Sequence, residues 1–176
     1  MRIERTVTGL SIEVASEAET EQVARALAPL VEPGTVIGLA GPLGAGKTRL
    51  VRALAEALGV DPGAIASPTF VLIHEYEGRI PVVHCDVYRL RGADEFDALG
   101  VDEYWQGAGV CLVEWADRVA DRLPAGAWFL RIEPLGVETR RIVLELPREG
   151  LPACLERLLG GGGSAAAGFD PPAATN

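Results

Sequence analysis

Lysine is almost missing from this chain: in 176 residues every cationic side chain is arginine except Lys47. Histidine occurs only at positions 74 and 84. Cysteine occurs only at 85, 111 and 154, with no C-x-x-C spacing. That pattern argues against a disulfide framework and a cysteine-based metal site. Cys85 and Cys111 lie in apolar, strand-like runs and read as buried thiols. There is no long basic run, and the net charge of −9 repels phosphate backbones, which argues against primary nucleic-acid binding. No apolar stretch is long enough to cross a bilayer and no secretory h-region is visible, so the chain reads as cytoplasmic with no membrane partner. No internal repeat is present. The 48% hydrophobic content suits one domain with a sizeable core.

The one lysine stands in Gly41-Pro42-Leu43-Gly44-Ala45-Gly46-Lys47-Thr48, which satisfies the P-loop pattern G-x-x-x-x-G-K-[ST]. In that pattern glycines let backbone N–H groups close around phosphate oxygens, and the following helix points its positive end at them. An ammonium on a flexible stem follows the β- and γ-phosphates as a point charge, while the Thr hydroxyl ligates Mg²⁺. The flanks agree, because 35–40 reads as a buried strand and 49–58 as a helix. Gly41, Leu43, Gly44, Ala45, Gly46, Lys47, Thr48 and Arg49 therefore form the expected nucleotide-binding segment, with Lys47 also serving catalysis.

Elsewhere, residues 3–14 are strand-like. Ser16-Glu17-Ala18-Glu19 has capping-box spacing before a helix through Leu30. Strands over 70–76 and 80–86, separated by Glu77-Gly78-Arg79, predict an antiparallel hairpin. Residues 94–105 read as helical segments broken at Gly100, 110–113 as a buried strand, and 116–123 as a helix stopped by Pro124. A second hairpin is predicted over 128–133 and 141–146, then an amphipathic helix over 151–159. These alternations predict an α/β fold: a P-loop NTPase-like mixed β-sheet flanked by helices, spanning 1–159. The Gly-rich segment 160–176 reads as a flexible tail.

A P-loop binds phosphate, but cleavage also needs a metal and a positioned water, and Mg²⁺ takes hard oxygen ligands. Asp86 and Glu114 each end an apolar run, where a buried carboxylate without a cation is costly. Glu114 reads as a metal- or water-positioning group, the alternative being a surface acid that caps the next helix. Asp86 reads the same way, the alternative being a turn residue before Tyr88. Asp94, Glu95 and Asp97 read as a solvated helix face. Ser67-Pro68-Thr69 sits where switch segments reach the γ-phosphate, or forms a rigid turn into the next strand. Trp115 packs beside the nucleotide or a partner, or is a partly exposed core residue. His74 and His84 read as packing residues or local hydrogen-bonding groups.

Together the P-loop, Ser67-Pro68-Thr69-Phe70, His84-Cys85-Asp86-Val87-Tyr88-Arg89-Leu90 and Val113-Glu114-Trp115 resemble the TsaE (formerly YjeE) family, in order and spacing from about residue 3 to 146. The resemblance implies a small ATPase that uses ATP and Mg²⁺ and supports formation of threonylcarbamoyladenosine in tRNA. It would bind a TsaB–TsaD assembly and sustain its turnover, with tRNA contacted only through those partners. It also implies that Thr48 and Glu114 hold Mg²⁺, that Asp86 acts in hydrolysis, that Thr20 lies by the adenine, and that Arg140 or Arg141 approaches the nucleotide. Pro42 departs from the family's common Asp. From the residues alone, a small-molecule kinase and a nucleotide-dependent interaction module compete with this reading. The absence of a long Arg-rich lid after Glu114 counts against the kinase.

Overall fold

The computed structural model describes residues 1–66, 72–147 and 151–160. Eight strands form one mixed sheet: β1 (Arg2–Arg5), β2 (Gly9–Val14), β3 (Val36–Ala40), β4 (Ile73–Tyr76), β5 (Val82–Asp86), β6 (Val110–Glu114), β7 (Trp128–Pro134) and β8 (Arg140–Glu145). Their order across the sheet is β1-β2-β8-β7-β3-β6-β5-β4. Pairings β7–β3, β3–β6 and β6–β5 are parallel, and the flanking pairs are antiparallel. The mixed α/β architecture expected from the sequence is the one observed.

Every residue of β3, β5 and β6 is buried, as the continuous apolar runs require of parallel strands covered on both faces. Alternate side chains then feed two cores. Ile37, Leu39, Val82, Val110 and Leu112 join the larger core with α1 (Glu17–Leu27), α2 (Lys47–Ala57) and α4 (Leu151–Gly160). Val36, Val83, Cys85, Cys111 and Val113 face the other way, against Phe96 on the short α3 (Ala93–Asp97) and against Val101, Ala116 and Val119. Cys85 and Cys111 are thus buried free thiols.

Local signals hold where their chemistry is contiguous. Ser16 Oγ accepts from Glu19 N at 3.2 Å, and Glu19 Oε2 accepts from Ala15 N at 2.8 Å, closing the start of α1. Gly100, at φ 65°, divides the 94–105 segment into α3 and a 3₁₀ turn. Asp94, Glu95 and Asp97 are exposed.

Three expectations change. Residues 3–14 form a hairpin instead of one run, because Thr6 N turns back to Gly9 O. The strand expected from residue 80 starts at Val82, after Pro81, whose ring nitrogen carries no ladder donor. The helix expected over 116–123 is two 3₁₀ turns, Ala116–Arg118 and Ala120–Arg122. Val119 leaves helical geometry at φ −134°, which breaks the segment into two short turns, while Ala116 and Val119 are both buried. Ser67 to Phe70, and 161–176 of the expected tail, lie outside the described residues. Among the described residues no helix is long and apolar enough to cross a membrane.

Candidate functional site

Because β3, β5 and β6 run parallel, their C-terminal ends share one edge of the sheet. Register pairs Asp86 with Glu114, and Glu114 with Leu39, one residue before the end of β3. The P-loop leaves β3 on that same edge. Such carboxyl ends are where open α/β sheets take ligands. A cavity of about 300 Å³ opens there, lined by Leu43, Gly44, Gly46, Lys47, Thr48 and Arg49 on one side and Asp86, Tyr88, Glu114 and Trp115 on the other. Both sequence-predicted carboxylates and most of the P-loop therefore meet in one place.

Two remaining P-loop residues hold the loop's shape. At Gly41 (φ +141°) an added Cβ would lie 2.3 Å from Ile132 O on β7. Ala45 is buried, and its carbonyl accepts from Arg140 Nε at 3.1 Å. The exposed Gly44 differs from Gly41, since its positive φ leaves nothing within 4 Å of an added Cβ. That open face suits a cradle for phosphate oxygens. Gly46 is the N-cap of α2 and has no side-chain cap, so the first backbone N–H groups of an 11-residue helix remain directed at the loop.

The charges are buried together. Lys47 is 5% exposed, Asp86 5% and Glu114 2%. Lys47 Nζ donates to Gly41 O at 2.7 Å and Pro42 O at 2.9 Å, and it sits 3.6 Å from the centroid of the Trp115 ring. Burial lowers the Lys47 pKa, while Glu114, Asp117 and Asp86 act in the opposite direction. Trp115 holds a left-handed backbone conformation (φ 62°), unusual for a bulky residue, and its ring also packs on Tyr88 at 4.8 Å.

Glu114 joins the two halves of the site. Thr48 Oγ1 donates to Glu114 Oε2 at 2.8 Å, while Glu114 Oε1 lies 2.9 Å from His84 Nε2. Glu114 is therefore no surface cap. Thr48 and Glu114 present two hard oxygens side by side, a donor set that fits Mg²⁺, which keeps waters and phosphate oxygens for its other positions. Asp86 Oδ1 accepts from Tyr88 N at 2.9 Å, so it both shapes the turn and lines the cavity.

The family model described as "Threonylcarbamoyl adenosine biosynthesis protein TsaE" matches residues 14–142. This chain belongs to the TsaE family. The Bacillus subtilis "tRNA threonylcarbamoyladenosine biosynthesis protein TsaE" is 44% identical over 125 residues, covering 70% of this chain and 77% of that protein. The Treponema pallidum protein of the same name is 39% identical over 129 residues, covering 73% and 95%. A crystal structure of YdiB from Bacillus subtilis superposes with a TM-score of 0.69 at 32% identity, covering 93% of this chain and 99% of that one. The fold of this TsaE family member is thus P-loop NTPase-like.

Four residues take positions the sequence left open. Thr20 is 3% exposed within α1, its hydroxyl donating to Ser16 O at 3.3 Å, and is not among the described residues lining the cavity. Arg140 braces the loop from behind through Ala45 O, whereas Arg141 pairs with Glu13 at 2.8 Å on β2. Arg49 ties α2 to α1 through Glu17 at 2.9 Å and Glu21 at 3.3 Å while lining the cavity. Sequence reasoning gave His84 no role at the site. The available signal was its position two residues before Asp86, hence on the same face of β5.

Proposed function

We propose that this chain is a Mg²⁺-dependent ATPase whose hydrolysis supports formation of threonylcarbamoyladenosine in tRNA. It would do so by binding a TsaB–TsaD assembly and sustaining its turnover. The observation that carries the reading is the 2.8 Å contact between Thr48 Oγ1 at the end of the P-loop and Glu114 Oε2 at the end of β6. A phosphate cradle and a metal-competent oxygen pair are thereby joined.

The P-loop backbone and the α2 N-terminus would bind the phosphates, and Thr48 and Glu114 would hold the metal. When bound, Mg²⁺ supplies charge neutralisation on the phosphate oxygens. Lys47 would exchange its bonds to the carbonyls of Gly41 and Pro42 for phosphate oxygens. That exchange gives up a cation–π contact with Trp115 worth about 0.5–2 kcal/mol, a modest cost for a charge-assisted replacement. Asp86, buried on the facing wall, would orient the attacking water. Trp115 and Tyr88 would wall the reacting end and exclude bulk solvent. The acidic net charge of −9 is consistent with tRNA being handled by the partners.

The test measures phosphate release from ATP with this chain alone, with purified TsaB–TsaD, and with Lys47→Ala in its place. It also measures threonylcarbamoyladenosine on tRNA over many turnovers. Slow release that the assembly accelerates, with modification lost in the variant, is the expected result. Wild-type modification by Lys47→Ala overturns the reading. Transfer of the γ-phosphate to a hydroxylated metabolite would establish a kinase instead.

A further inference from the structure

Beside the two carboxylates the sheet buries a third polar side chain. His84 has no exposed surface, and register sets it opposite Leu112, one same-face step behind the Asp86–Glu114 pair. Its Nε2 lies 2.9 Å from Glu114 Oε1, while its Nδ1 has no hydrogen-bond partner among the described residues.

The tautomer follows from these contacts. With the proton on Nδ1, a buried N–H would stand without an acceptor, and the Nε2 lone pair would face a carboxylate oxygen. Both are unfavourable. With the proton on Nε2, the ring donates to Glu114 instead of facing it with a lone pair, and only the Nδ1 acceptor is left unpaired. Glu114 then has one partner for each oxygen: His84 on Oε1 and Thr48 on Oε2. The terminal torsion of a glutamate is broad and roughly two-fold. A donor on the buried oxygen selects one orientation and keeps the other oxygen turned toward Thr48.

We propose that His84 is a positioning residue which, by donating Nε2–H to Glu114 Oε1, holds Oε2 at Thr48 as a preformed half of the metal site. This rests on the reading of Thr48 and Glu114 as metal ligands. The general precedent is that partners which orient metal-bound side chains matter about 10–100-fold in metal affinity.

Two measurements test it. Only two histidines occur in the chain, so ¹⁵N-histidine labelling resolves His84 in the wild-type protein. The expected state is the Nε2–H tautomer, and an Nδ1–H tautomer overturns the proposal without any variant. The second measurement is the affinity for Mg²⁺ of the ATP-bound protein, by titration calorimetry, alongside ATP affinity in EDTA. His84→Leu is expected to weaken Mg²⁺ binding about 10–100-fold while leaving metal-free ATP affinity unchanged. His84→Gln, whose Nε2 can replace the donor, is expected to recover most of it. In a Glu114→Gln background His84→Leu is expected to add nothing further. If Glu114→Gln weakens Mg²⁺ binding and His84→Leu does not, the positioning role is wrong and the metal reading stands. If neither weakens it, the metal reading falls and this proposal with it. Equal loss in the Leu and Gln variants, with metal-free ATP affinity falling in parallel, assigns His84 to folding alone and overturns the proposal.

Discussion

Two glycines of the same loop should fail in opposite ways when given a methyl group. Gly41→Ala places a Cβ 2.3 Å from Ile132 O, at a backbone φ of +141°. The clash is with a β7 strand carbonyl and not with a flexible side-chain end, so relief requires moving β3 away from β7. Backbone strain of about 1–3 kcal/mol adds to an overpacking cost of about 1–3 kcal/mol, giving roughly 2–6 kcal/mol of destabilisation. Set against a typical total of about 5–15 kcal/mol, that is a large share of the fold's stability. Gly44→Ala meets nothing within 4 Å and is left with only the cost of φ +76°, about 1–2 kcal/mol. Its methyl group instead enters the open face of the cradle. Denaturant melts should therefore show Gly41→Ala far less stable than Gly44→Ala. Calorimetry with ATP should show Gly44→Ala folded but weakened in binding. Equal stability losses in the two variants, or full ATP affinity in Gly44→Ala, would refute the assignment of one glycine to packing and the other to the ligand.

Further outcomes follow from the buried charges. Lys47→Ala is expected to lose ATP binding while circular dichroism stays native, and Lys47→Arg to fail as well, because a planar fork replaces a point charge in a tight loop; native affinity in both would sink the cradle. Glu114→Gln and Asp86→Asn are expected to cut Mg²⁺-dependent phosphate release by about 10²–10³ with a much smaller change in ATP affinity, measured by single-turnover kinetics and calorimetry. As the only lysine, Lys47 gives a single ¹³Cε resonance, whose pH midpoint should fall below 10.5 because burial disfavours the cation, and fall further in Glu114→Gln because that carboxylate opposes the shift. A folded pKa below the unfolded one means that the native state binds fewer protons between the two, so wild type should gain stability relative to Lys47→Met as pH rises through that window. A midpoint at or above 10.5 would contradict the burial of this amine.

What the amino-acid order determined by itself is whatever chemistry lies close along the chain. The P-loop was legible because its glycines, ammonium and hydroxyl are contiguous and act through local backbone geometry. Asp86 and Glu114 were legible because a charge ending an apolar run marks a strand end, and parallel strands bring such ends to one edge. The Ser16–Glu19 cap and the break at Gly100 are local for the same reason. Tertiary structure alone decided relations that depend on register, because a one-residue step reverses the face of a strand. Thus adjacent Arg140 and Arg141 part company, one to Ala45 O and the other to Glu13. His84, legible only as a packing or hydrogen-bonding residue, acquires Glu114 as its partner only once β5 and β6 pair with Asp86 opposite Glu114. The segment after Trp115 winds as two 3₁₀ turns that meet at Val119, whose φ of −134° interrupts the helix while its side chain is buried in the second core. Periodicity along a sequence reports which residues seek burial, but the neighbours that receive them are chosen by strands far away in the chain.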